Sequence, residues 1–128
     1  MITEDYVSFE TARLLKEMKF NVPVHDHYTK VGTRWHCEDK EDFNAEKKVE
    51  CFSCPTLQMA MKWLRKVYWL NIFPQFDRWG KNWSVIIKSM DDRNIIHNNT
   101  ALEMSGFDSY ESSVDAAIQY CLEKLIRL

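Results

Sequence analysis

The stretch Thr56-Leu-Gln-Met-Ala-Met-Lys-Trp-Leu-Arg-Lys-Val-Tyr68 decides the fold, because it carries too many apolar residues for one face of a helix. At about 100° per residue, its apolar side chains cover more than half of the helix circumference. These side chains are Leu57, Met59, Ala60, Met61, Trp63, Leu64, Val67 and Tyr68. Such a helix needs two packing neighbours, so the stretch predicts a central helix with a sheet beneath it and another helix beside it.

Two further helices are predicted on either side of this stretch. Ser8 is a suitable N-cap for a first amphipathic helix, whose apolar residues from Phe9 to Met18 recur at helical spacing. Near the C-terminus, Asp108-Ser-Tyr-Glu111 has the spacing of a capping box with Asp108 as the N-cap. The apolar stripe that follows, from Val114 to Leu125, predicts a helix of about five turns.

The segment between the first two helices is typical of a β-hairpin. Residues alternate in polarity from Val24 to Cys37 around Lys30-Val-Gly-Thr33. If Val31-Gly32 is a two-residue turn, Tyr28 lies opposite Trp35 and His27 opposite His36, although a loop one residue longer would change both pairs. Residues 38–50 carry six acidic against three basic residues and predict an exposed loop.

A second group of strands is predicted after the central helix. Alternation from Leu70 to Phe73 ends at Pro74, and Trp83 to Met90 forms the best strand pattern in the chain. Asp77-Arg-Trp-Gly80 is the turn between them, and Ile95-Ile96 is a candidate for a short third strand.

The order of these elements predicts the fold class. Helix, hairpin, helix, two or three strands and helix give a single α+β domain over residues 1–128. Because the connections are short, we expect one antiparallel meander sheet of about four to five strands with three helices packed on it.

Composition excludes several classes of protein. The chain has 128 residues, 45% of them hydrophobic, and a formal net charge of −2, so its total charge favours neither a nucleic-acid binder nor an acidic protein. Neither a signal-peptide pattern nor an apolar run of about 18 residues occurs. The sequence therefore predicts a soluble cytoplasmic protein without a membrane partner, whose four cysteines are free thiols.

Three stretches carry a resemblance to a known group of proteins. They are Ser8-Phe-Glu-Thr-Ala-Arg-Leu-Leu-Lys-Glu-Met-Lys-Phe20, Cys54-Pro-Thr-Leu-Gln-Met-Ala-Met-Lys-Trp-Leu-Arg65, and Ser109-Tyr-Glu111 with Ala116-Ala-Ile-Gln-Tyr-Cys-Leu-Glu-Lys-Leu-Ile126. Together they resemble small uncharacterised proteins of gut Bacteroidales and of their phages and mobile elements. The resemblance implies an origin in phages or mobile elements, and it implies no activity or site residues.

Aromatic residues form the leading candidate site. Trp69, Phe73, Phe76 and Trp79 cluster with Arg78 at the end of a strand and in its turn, where exposure is expected. Exposed Trp beside Arg is typical of interface hot spots. The pattern predicts binding to a protein partner or to a second copy of the chain, as in a homodimer.

Nucleic acid is the alternative partner. Residues 56–81 hold five basic residues against Asp77 alone, interleaved with aromatic side chains. The candidate contacts are Lys62, Arg65, Lys66 and Lys81. The same helical cations also fit the solvated strip of an amphipathic helix.

Metal, redox and catalytic roles are weaker hypotheses. Cys51-Phe-Ser-Cys54 with His36 and Cys37 upstream has part of a zinc-ligand pattern, and a thiol at a helix start also suggests redox chemistry. His25, His27 and His36 share one hairpin face if the turn has two residues, which suits either a surface metal site or plain solvent exposure. Because no catalytic motif appears, we predict a non-enzymatic protein without a cofactor.

Overall fold

The computed structural model describes residues 4–90 and 101–126, and the chain divides into two compact units, unit 1 (Met1–Thr56) and unit 2 (Leu57–Leu128). Unit 1 contains α1 (Phe9–Glu17), β1 (Val24–Thr29), β2 (Arg34–Glu41) and β3 (Cys51–Ser53). Unit 2 contains α2 (Leu57–Tyr68), β4 (Leu70–Asp77), β5 (Asn82–Ser89), β6 (Leu102–Phe107) and α3 (Tyr110–Tyr120), which continues into a π-helical turn at Cys121–Leu125. The α+β class is confirmed, and the single domain over residues 1–128 stays a prediction.

The strands are arranged differently from the expected single meander. The described residues form two three-stranded antiparallel sheets, with strand orders β2-β1-β3 and β4-β5-β6. Two of these strands were not predicted from the sequence: β3 is too short to show a period, and β6 ends in the sequence Ser105-Gly106-Phe107. The candidate strand at Ile95-Ile96 lies outside the described residues.

Helix α1 begins and ends with complete capping interactions. The Ser8 hydroxyl accepts a hydrogen bond from the Thr11 N–H at 3.3 Å, as predicted for an N-cap. At the other end, Lys19 has φ +68°, and the Phe20 N–H donates to the Leu15 carbonyl at 3.0 Å. This is a Schellman motif, in which the residue after the C-cap takes the left-handed conformation that glycine adopts without steric cost.

Lys19→Gly should raise the free energy of unfolding by about 1 kcal/mol, because the left-handed backbone costs an L-residue about 1–2 kcal/mol. Urea denaturation followed by circular dichroism measures the change. Arg13→Gly, inside the same helix, is the matched control and should lower the stability by about 1 kcal/mol. If both substitutions change the free energy of unfolding by the same amount, Lys19 does not have the left-handed conformation of a Schellman motif.

The β1–β2 hairpin has a longer loop than the predicted two-residue turn. Its cross-strand pairs are Tyr28 with Arg34, His27 with Trp35, and Asp26 with His36. The Thr29 N–H donates to the Thr33 carbonyl at 2.8 Å, and Gly32 has φ +90°, so the loop comprises Lys30-Val31-Gly32. The prediction of a two-residue turn was wrong, because the loop is one residue longer. His27 therefore lies on the opposite sheet face from His36.

Helix α2 has the two neighbours that its apolar circumference requires. It packs against β4 and against α3. Leu57, Ala60, Met61, Trp63 and Leu64 are buried. Val67, which the helical stripe placed in the core, is exposed.

The β4-β5-β6 sheet has one face toward its helices and one away from them. Ile72, Val85 and Ile87 are buried on the first face, against which α3 packs across all three strands. On the other face Phe73, Ile86 and Glu103 form one cross-strand row. Helix α3 starts one residue later than predicted: its N-cap is not Asp108 but Ser109, which forms a capping box with Ser112.

Candidate functional site

The tip of the β4–β5 hairpin presents a tryptophan held on a stiff turn. The ladder is paired as far as Asp77 and Asn82, and residues 78–81 form the turn. Asp77 Oδ1 accepts the Trp79 N–H at 3.0 Å, and Lys81 takes φ +53°. A Cβ at Gly80 would lie 2.8 Å from Asp77 Oδ2, so glycine leaves room for this carboxylate to fold over the turn. The side chain of Trp79 is 94% exposed.

A row of rings supports the base of the hairpin. Phe76 packs on Trp83 at a ring-centroid distance of 5.3 Å, and Trp83 meets Tyr110 edge to face at 5.5 Å. The Tyr110 hydroxyl accepts a hydrogen bond from Gln58 Nε2 at 2.9 Å. Because this row ties the hairpin to the first turns of α2 and α3, Trp79 projects from an anchored element.

The structure brings together three of the five predicted interface residues. Phe76, Arg78 and Trp79 line a shallow cleft with a volume of about 450 Å³. Trp69 and Phe73 lie outside it, Trp69 with φ +58° before β4 and Phe73 on the sheet face away from the helices. Exposure of the four aromatic side chains is 41% for Trp69, 43% for Phe73, 51% for Phe76 and 94% for Trp79.

The rest of this cleft is polar and includes residues that were not predicted as site residues from the sequence. Gln75 and Ser84 line it from β4 and β5, and Glu103 and Ser105 line it from β6. Asp77 adds a second carboxylate. Glu103 and Ser105 were missed because β6 was not recognised, and their alternation with Leu102 and Met104 was the only signal in the sequence.

The basic residues proposed for nucleic-acid binding occupy two separate elements. Lys62 and Lys66 are exposed and Arg65 is half-buried on α2, whereas Lys81 lies in the hairpin turn. Carboxylates at Asp77 and Glu103 stand beside the turn and would repel phosphates. Binding of nucleic acid by these four residues stays a prediction.

The predicted metal set of His36, Cys51 and Cys54 is not assembled in the structure. The Cys51 thiol donates to the Phe43 carbonyl at 3.4 Å, and the Cys54 thiol donates to the Val7 carbonyl at 3.7 Å. In residues 4–90 and 101–126, no three His, Cys, Asp or Glu side chains are grouped as metal ligands. Burial raises the pKa of the Cys51 thiol, and the positive charges of Lys16 and Lys48 oppose this shift. Redox chemistry at the thiol of the helix start, Cys54, stays a prediction.

A second polar cluster, on the β1–β2 hairpin, was also missed. The Asp26 side chain is only 4% exposed, and its carboxylate accepts a hydrogen bond from His36 Nδ1 at 2.8 Å and lies 3.6 Å from Arg34 Nε. The Arg34 guanidinium stands over the Tyr6 ring at 4.1 Å. Burial, reinforced by the Asp26 charge, raises the pKa of Tyr6. The pairing of Asp26 with His36 depends on the three-residue loop of the hairpin.

The fold and these sites define an α+β protein of two sheets that presents an anchored aromatic hairpin. No family model, curated protein or solved structure matches the chain. Among the helices of the described residues, none has the length and apolar character to cross a bilayer.

Proposed function

We propose that the chain is a non-enzymatic interaction protein that binds a protein partner by inserting Trp79 into an apolar pocket of that partner. The observation that carries the proposal is the 94% exposure of Trp79, in a turn that follows the last ladder pair, Asp77 with Asn82, and in which Asp77 accepts the Trp79 N–H. An origin in phages or mobile elements stays a prediction from the sequence resemblance.

An exposed indole offers a large binding energy. A tryptophan side chain buries about 150–250 Å² on transfer into a pocket, which corresponds to about 4–6 kcal/mol before the costs of association. Because the Asp77 carboxylate already holds the turn, little backbone entropy is lost on binding. The neighbouring Arg78 adds a planar hydrogen-bond donor of the kind that recurs in hot spots.

The cleft beside Trp79 indicates the chemistry of the partner surface. Its carboxylates, Asp77 and Glu103, favour hydrogen-bond donors or cations around the pocket that receives the indole. A protein surface can combine an apolar pocket with such a rim, whereas a phosphate backbone cannot avoid the two carboxylates. A second copy of this chain is one candidate for that partner.

Trp79→Ala should weaken the association at least about 30-fold, the effect of losing a hot-spot residue worth about 2 kcal/mol or more. Self-association is measured first, by sedimentation velocity over a concentration series. If the wild-type chain is monomeric, partners captured from a host lysate are quantified by mass spectrometry for the wild type and the variant side by side.

Trp35→Ala is the matched control, since Trp35 is also an exposed tryptophan but lies on β2 of the other sheet. If the Trp79→Ala variant associates as strongly as the Trp35→Ala variant, the proposal is overturned. The nucleic-acid alternative is favoured if partner binding falls steeply with salt concentration, because nucleic-acid binding releases counterions. It also requires that binding is lost in Lys62→Ala and in Lys66→Ala.

A further inference from the structure

We propose that Cys37 is a modification site whose thiol, with His27 as its base, forms a mixed disulfide with a small-molecule disulfide. Both residues lie in unit 1, on β2 and β1, whereas the residues that carry the proposed protein binding belong to unit 2. The inference rests on the contact between the thiol and the imidazole, on a buried hydroxyl beside them, and on the different surroundings of the other cysteines.

The thiol and the imidazole are within hydrogen-bonding reach of each other. Cys37 Sγ lies 3.9 Å from His27 Nδ1. A neutral imidazole accepts a hydrogen bond at one ring nitrogen, so the thiol can donate to Nδ1 when the ring carries its proton at Nε2. The Phe43 ring stacks on this imidazole at a centroid distance of 4.3 Å and limits its movement. A histidine placed to take the thiol proton is what activates many cysteine nucleophiles.

The charges around His27 suit a base that becomes positively charged when it accepts a proton. Burial lowers the pKa of His27 below its ordinary value, so the ring is neutral at neutral pH. The carboxylates of Glu41 and Asp26 act in the opposite direction because they favour the charged ring, whereas Lys48 favours the neutral ring. The Lys48 ammonium also interacts with Cys37, and its positive charge stabilises the thiolate.

A buried hydroxyl without a partner stands next to this pair. Ser53 lies directly across from His27 in the β1–β3 ladder, so the two side chains share one face of the sheet. Ser53 is completely buried, and among the described residues its Oγ has no hydrogen-bond partner. An unpaired hydroxyl is costly to bury. This oxygen can accept a hydrogen bond from the imidazolium that forms when His27 takes the thiol proton, which makes Ser53 a positioning residue for the base.

The surroundings of the four thiols single out Cys37. Cys54 and Cys121 are completely buried. The Cys51 thiol donates to the Phe43 carbonyl at 3.4 Å, and burial raises its pKa. Cys37 is half-buried on β2, an edge strand whose other residues are exposed, so a disulfide in solution can reach its sulfur.

The reaction is a thiol–disulfide exchange. The Cys37 S–H proton moves to His27 Nδ1, and the thiolate attacks one sulfur of the small disulfide. A bond forms between Cys37 Sγ and that sulfur while the S–S bond of the reagent breaks. The leaving thiolate takes the proton from His27 and departs as a thiol, so the small disulfide is reduced as Cys37 is oxidised.

The test uses the full chain, first reduced and then mixed with oxidised glutathione at neutral pH. Mass spectrometry of the intact protein and of its peptides follows each cysteine, and we expect one mixed disulfide per chain, at Cys37. Cys37→Ser should abolish this product, and His27→Gln should slow its formation at least about tenfold through loss of the general base. Cys51→Ser and His36→Gln are the controls and should react as the wild type does, since His36 lies on the opposite face of the sheet.

Ser53→Ala separates the positioning role of Ser53 from plain packing. Loss of a hydroxyl that stabilises the imidazolium should lower the pKa of His27 further and slow the reaction. The inflection that His27 gives to the pH profile of the rate should therefore shift to lower pH. A profile that stays in place would show that Ser53 takes no part in the site.

A comparison on the unmodified chain guards against variants that fail to fold. Cys37 should react at least about tenfold faster in the folded chain than in the chain unfolded by urea, where no imidazole is held beside the sulfur. The proposal is overturned if folding does not accelerate the reaction, if glutathione attaches first to another cysteine, or if His27→Gln leaves the rate unchanged. None of these outcomes depends on Trp79, so failure here leaves the proposed protein binding intact.

Discussion

Replacing Leu64 by alanine should lower the free energy of unfolding by about 2–5 kcal/mol. Leu64 lies at the centre of α2 with a fully buried side chain. The substitution removes several methyl and methylene groups from the layer where α2 meets β4 and α3, and the rigid sheet limits how far the resulting cavity can collapse. Urea denaturation followed by far-UV circular dichroism gives the value.

Val67→Ala is the matched control on the same helix, because the Val67 side chain is 47% exposed. Its cost should stay below about 1 kcal/mol, since less apolar surface is returned to water and no closed cavity forms. A loss for Val67→Ala as large as that for Leu64→Ala would mean that the buried side of α2 has been assigned to the wrong face.

The helices could be predicted from the sequence because their signals are local. In α2 the spacing of apolar residues alone indicates both the helix and its two neighbours, and the structure differs mainly in exposing Val67 at its last turn. Ser8 was recognised as an N-cap from its residue type and position. At α3, Asp108 and Ser109 are both good N-caps, and the Ser109–Ser112 pair takes the role that the spacing had given to Asp108.

The sheets were harder to predict because strand pairing is not local. A strand of three residues such as β3 has no measurable period, so the pairing of Cys51–Ser53 with β1 could not be inferred. Likewise β6 alternates weakly, and its pairing with β5 shifts register between Trp83 and Val85. Because these two strands were not predicted, the remaining strands were assigned to one meander sheet instead of two.

The candidate sites also differ in whether their signal in the sequence is local. Trp79 was found because an aromatic residue in a predicted turn is expected to be exposed, which is a local inference. The Asp26–His36 pair could not be found, because a hairpin loop longer by one residue changes which side chains face each other. Chemistry that depends on cross-strand register is therefore the part of this protein that a sequence hides most completely.

The buried thiol of Cys121 should make the protein less stable in alkaline solution. Burial raises the pKa of this thiol from an ordinary value of 9.0 to about 12. Between these two values the unfolded chain loses a proton that the folded chain keeps, so the stabilising contribution is complete below pH 9 and is lost as the pH rises toward 12. Three pH units correspond to about 4 kcal/mol in total, and about 2 kcal/mol of this should be lost between about pH 8 and about pH 10.5.

The comparison of wild type with Cys121→Ala isolates this contribution, because lysines and tyrosines that titrate in the same range are common to both chains. Alanine lowers the stability at neutral pH by leaving a small cavity, but the variant should lose about 2 kcal/mol less than the wild type over the interval. Cys37→Ser, which keeps the Cys121 thiol, should retain the wild-type slope. Parallel pH profiles for wild type and Cys121→Ala would show that the thiol ionises without unfolding the chain, and that the packing of Cys121 in unit 2 is looser than its complete burial implies.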